Sequence, residues 1–187
     1  MMQPSGFTGL SMSTLSAMGV QGLTPLAGCT PSPSSTTDVD QDGVYANATV
    51  TFSCSVNGIT VTGSMSETDH NDNDASSGYT ITVNNLTVTN TTTNTKLVEN
   101  LSWDLTKTGT YSYALNFDLK LQYTDSSGGN FAFEDKGKPT YTADPPGAVT
   151  AYDPFVAGTF TFSGSVTYTD SDGTYALTRT SGQGGVH

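Results

Sequence analysis

The chemistry this sequence can support is concentrated in Asp38-Val39-Asp40-Gln41-Asp42-Gly43. Carboxylates at every second position of a tight turn converge on one point, and the glycine permits the sharp reversal. Hard oxygen ligands gathered in this way suit a hard cation, above all Ca2+. Asp38, Asp40 and Asp42 are therefore the candidate metal ligands, and calcium is the expected cofactor. The plain alternative is a solvated acidic turn. Asp69, Asp72 and Asp74 form a looser acidic cluster around His70, within a polar loop expected over 66–78, and Asp170-Ser171-Asp172-Gly173 has the composition of an ordinary hairpin turn.

The Asp38–Gly43 run resembles the first half of the calcium loops of EF-hands, dockerins and thrombospondin type 3 repeats. The resemblance covers residues 38–43 alone. The twelfth loop position, where an EF-hand carries a bidentate Glu, is Thr49, and no flanking helices are expected. It implies a weak site of the extracellular kind, completed by backbone carbonyls, water or an acid from another loop.

A catalytic constellation is not legible. A Ser–His–carboxylate or Cys–His arrangement would have to use His70 or the terminal His187. The three glutamates, Glu67, Glu99 and Glu134, share no motif that would mark a glycosidase pair. The expectation is a protein that is not an enzyme, with a carbohydrate-active enzyme as the remote alternative.

Two cysteines, Cys29 and Cys54, fit neither a zinc site nor a redox pair. One reading is a disulfide closing a loop of about 25 residues, worth roughly 3 kcal/mol, in an oxidising compartment. The other starts from Leu26-Ala27-Gly28-Cys29, which resembles the lipobox of bacterial lipoproteins and implies a lipid anchor at Cys29. The segment before it has no Lys or Arg and no continuous apolar run, which weighs toward the disulfide. Both readings place the protein outside the cytosol, extracellular or at the cell surface; the remaining reading, two free thiols, does not.

Composition points the same way. Charged residues are 12% and hydrophobic residues 34%, both low, and Thr, Ser, Gly and Asn fill the difference. Thr suits strands and the others suit turns. A net charge of −11 with six basic residues excludes a nucleic-acid partner, which would need a basic stripe. No apolar run is long enough to cross a membrane as a helix. Asn47, Asn85, Asn90 and Asn100 open glycosylation sequons, which matter only in a glycosylating host.

The element that must carry these turns is Tyr111–Tyr123. Tyr111, Tyr113, Leu115, Phe117, Leu119, Leu121 and Tyr123 alternate with mostly polar residues, the pattern of a strand with one apolar face. At roughly 40 Å it must bend or serve two layers, and its stripe reads as core. Its expected neighbours are 97–105, through a turn at 106–110 that sets Leu105 by Tyr111 and Trp103 by Tyr113, and Phe131–Phe133. Asn57-Gly58 predicts a tight hairpin pairing Val56 with Ile59, Cys54 with Val61 and Phe52 with Gly63. The parity of apolar positions switches at Asn84-Asn85, which predicts a bulge. Residues 134–155, with Pro139, Pro145, Pro146 and Pro154, read as a crossing connection or edge.

The expected fold is all-β: an antiparallel meander of about eight strands forming a sandwich or an open curled barrel, with very little helix. Residues 1–37 read as an N-terminal arm and Pro/Ser/Thr linker, 38–180 as one β-domain, and 181–187 as a flexible tail. The expected function is structural, adhesive or assembling, calcium-stabilised, with the chain itself or another surface protein as partner. The runner-up is a bacterial lipoprotein carrying an apolar ligand.

Overall fold

The computed structural model describes residues 31–110, 112–143 and 158–186, and these form an all-β fold. Nine strands follow one another: β1 (Ala48–Val56), β2 (Ile59–Asp69), β3 (Gly78–Asn90), β4 (Thr95–Gly109), β5 (Ser112–Thr124), β6 (Asn130–Gly137), β7 (Thr140–Ala143), β8 (Gly158–Asp170) and β9 (Gly173–Val186). All belong to one antiparallel sheet that does not close on itself.

β6 and β7 are two parts of one strand. Both pair with β5 and with β8, and each partner keeps the same register across the break. The break falls at Lys138-Pro139, where Pro139 has no N–H to give. Its carbonyl still accepts from the Leu115 amide, and the Lys138 amide donates to Ser163. The sheet is thus an up-and-down meander of eight effective strands. Contrary to the expected crossing connection or edge, residues 134–143 continue the ladder between β5 and β8, because a proline removes only one donor. Residues 144–157, with the other three prolines, lie outside the described residues.

Strand alternation fixes two unlike faces. One carries Val50, Phe52, Val61, Met65, Ile81, Val83, Leu101, Trp103, Leu105 and the odd-numbered residues of β5. The other carries Thr, Ser and Asn, with Lys120 bridging Asp118 and Glu134 and Lys136 reaching Glu134. These exposed ion pairs add little stability.

The Asn57-Gly58 hairpin has the expected register, with both turn residues at positive φ. The parity switch is also real. Register shifts between Val83 and Leu86 on one side and between Thr62 and Ser64 on the other, and Asn85 takes φ 47°. The Asn100 side chain holds the displaced Asn85 amide at 2.9 Å.

Three further expectations fail. β4 runs on through the polar Thr106–Gly109, so Leu105 faces Leu115 and Trp103 faces Phe117, with ring centroids 6.3 Å apart. Strand pairing needs backbone groups and tolerates polar side chains, so apolar content underestimated the strand. The core is also elsewhere. Ala48, Val50, Phe52, Val61, Met65, Val83 and Leu86 form it, with Tyr45, Cys54 and Leu101 against it. On β5 only Tyr113 is fully buried; Leu115, Phe117, Leu119 and Leu121 are half-buried and Tyr123 is exposed. Membership of an apolar face does not by itself provide a covering layer. Likewise β9 extends to Val186 through the Gly-rich end that read as tail.

Gly63 pins the bulge. Its φ is +127°, and a Cβ there would lie 2.6 Å from the Asn85 carbonyl oxygen and 2.7 Å from Leu86 Cα. Gly63→Ala should cost about 2–3 kcal/mol, read as a lower urea midpoint. Gly128→Ala, also at positive φ but with open space around it, should cost only about 1 kcal/mol. Equal losses would contradict the steric account.

Candidate metal centre

The Asp38–Gly43 turn is built by its own carboxylates. Asp40 Oδ1 accepts from the Asp42 amide at 3.2 Å, Asp38 Oδ2 from Gly43 at 3.0 Å, and Asp42 Oδ1 from Val44 at 2.8 Å. Gln41 and Gly43 supply the positive φ that folds the turn back. Val44, fully buried, anchors it to the domain.

The turn is then docked on the end of the first hairpin pair. The Val39 amide donates to Asp72 Oδ1 at 2.8 Å, and the Asp69 amide donates to the Tyr45 carbonyl at 3.2 Å. On the outer side Ser34 exchanges bonds with Thr49 of β1, and the Ala46 amide donates to Thr37. The segment expected as a linker is therefore tied to the sheet on both sides.

This docking brings two acidic sets together. Asp38, Asp40 and Asp42 each offer an oxygen within 4.8 Å of the others, and so do Asp40, Asp69 and Asp72. Asp38, Asp40 and Asp42, the candidate ligands, lie close together, and Asp69 at the end of β2 and Asp72 just beyond it bring acids from another part of the chain beside them. Asp69 is only 6% exposed. Its Oδ1 accepts from Asn71 and Ser77, while its Oδ2 has no hydrogen-bond partner. Asp38 Oδ1, Asp40 Oδ2 and Glu67 Oε2 are likewise buried without a partner. A buried carboxylate oxygen left unsatisfied is costly, and several in one place call for a cation or for protons.

The electrostatics carry the mark of that crowding. Burial, reinforced by Asp69, Asp38 and Asp72, raises the Asp40 carboxyl above the usual range against the Asp42 amide bond. Glu67 is pushed up to about 7, chiefly by burial and then by the charges of Asp42, Asp38 and Asp69, with the Tyr45 amide opposing. Among the described residues, none of Asp38, Asp40, Asp69 and Asp72 takes part in a salt bridge with a basic side chain.

The other sequence candidates go elsewhere. Asp74 pairs with Lys107 and caps Ser76. His70 Nε2 lies 3.0 Å from Asp104 and 2.9 Å from Thr80 Oγ1, away from the cluster. Asp170 accepts from the Asp172 amide as plain turn chemistry. Cys54 is not a free thiol, and Cys29 lies outside the described residues with the rest of the N-terminal arm. Glu67 was not singled out as a ligand. Its signal was parity: it continues Val61 and Met65 on the apolar face, where an acid is out of place.

No protein-family model, curated protein or solved structure matches the chain. Among the described residues no helix is long and apolar enough to cross a membrane.

Glu67 gives a pH test on metal-free protein. Its folded value lies above its ordinary 4.5, so between the two the folded state keeps a proton that the unfolded chain has lost. In chelator, stability should fall as pH rises from about 4.5 to about 7, by on the order of 2–3 kcal/mol after partial screening. Glu67→Gln should flatten that slope. A stability that rises over this window would contradict the assignment.

Proposed function

We propose that this chain is a non-catalytic β-domain of the extracellular space or cell surface, structural or adhesive in role and stabilised by calcium. The observation that carries the reading is the convergence of Asp38, Asp40, Asp42, Asp69 and Asp72, with buried carboxylate oxygens left without partners. Oxygen-only ligands from two loops suit Ca2+, which accepts irregular geometry and six to eight oxygens. Backbone carbonyls and water would complete the shell. Millimolar calcium outside cells suits a site of the weak extracellular class.

The ion has a mechanical task in this reading. It ties residues 38–44 to the β2–β3 connection and so holds the preceding segment along the β1 edge, where Ser34 meets Thr49. Covering a sheet edge limits unwanted strand pairing. A disulfide between Cys29 and Cys54 belongs to the same reading and would fasten the arm to the sheet a second time. The partner is a further copy of the chain or another surface protein.

Calcium at about a hundredfold above its Kd should add about 2.7 kcal/mol, a rise in Tm of roughly 5–10 °C, and Asp40→Ala should abolish the rise. A melting curve unchanged by millimolar calcium would overturn the proposal.

A further inference from the structure

The geometry points to two divalent cations in this cluster, with Asp40 shared between them; this rests on the calcium reading above. The five aspartates fall into two groups of three, Asp38/Asp40/Asp42 and Asp40/Asp69/Asp72, rather than one group of five. Ca–O bonds of about 2.3–2.6 Å place any two ligands of one ion no more than about 5 Å apart, the spread of each group taken singly. Only Asp40 belongs to both, and a carboxylate has two oxygens with which to bridge two ions.

Each group also has its own buried, unsatisfied ligand. In the second it is Asp69, 6% exposed, with Oδ2 unpartnered while Oδ1 is held by Asn71 and Ser77. In the first it is Asp38, whose Oδ1 is buried without a partner while Oδ2 is held by the Gly43 amide. Charge argues the same way. Five aspartates carry five formal negative charges; one divalent ion would leave three among buried oxygens, whereas two leave one.

The two subsites differ in what they join. The first closes the 38–43 turn on itself. The second joins that turn to the β2–β3 connection, alongside the bond from the Val39 amide to Asp72. The second ion is therefore the one that clamps the segment to the sheet.

The test counts ions. Equilibrium dialysis against calcium chloride, with native mass spectrometry of the loaded protein, should find two Ca2+ per chain. Asp72→Asn and Asp38→Asn, which keep the oxygens that accept from Val39 and Gly43, should each retain one, and Asp40→Asn should retain none. A single ion on the wild-type chain would overturn the two-ion site and leave the calcium reading standing; no bound ion would overturn both. Retention of two ions by Asp72→Asn would remove Asp69/Asp72 from the assignment. Should a variant lose its β-sheet circular dichroism, the wild-type count decides.

Discussion

Like charges held close together in a poorly solvated pocket are the constraint around which this structure is arranged. Two carboxylates about 5 Å apart repel by roughly 3 kcal/mol at an effective dielectric of 20, and here five aspartates share such distances in two overlapping groups. Each of the three in the turn gives one oxygen to a local amide, which fixes its direction. The oxygens left over on Asp38 and Asp40 are thereby presented in advance. On the calcium reading proposed above, a cation would turn this repulsion into attraction, and a cost to the metal-free fold would become a source of affinity and of rigidity.

The sheet supplies the frame for that exchange. β2 brings Glu67 and Asp69 to the end of the apolar face, beside the buried core of β1, β2 and β3. The acids sit at the boundary between apolar packing and the loops, where burial is deep enough to exclude much solvent yet backbone amides remain at hand. Among the described residues of the far half of the sheet, Tyr175 and Leu177 on β9 are exposed.

Much of the fold was legible because strand physics leaves a period of two. The Asn57-Gly58 hairpin, the bulge at Asn84-Asn85, the long strand β5 and its neighbour Phe131–Phe133 all follow from alternation and turn chemistry. What alternation cannot say is which apolar face receives a cover, so the β5 stripe has the pattern of a core without being covered as one along most of its length. Nor does it show that polar residues such as Thr106 and Lys107 extend a ladder, or that Pro139 interrupts one without ending it. The convergence of Asp38, Asp40 and Asp42 was legible from their spacing. Asp69 and Asp72 were not separable from a solvated loop, because their role depends on docking across about thirty residues of chain, through Val39 and Asp72. Glu67 was visible only as an acid at an apolar-parity position, and that conflict between local chemistry and pattern is the kind that marks a site.

The central claim is that a cation closes the 38–44 segment onto the sheet, and amide hydrogen exchange with and without calcium addresses it most directly. The Val39, Gly43 and Val44 amides, all bonded to carboxylates of the cluster, should exchange markedly more slowly in millimolar calcium than in chelator. Amides of the distant β8–β9 hairpin should respond far less. Exchange at Val39, Gly43 and Val44 that is indifferent to calcium would contradict the account.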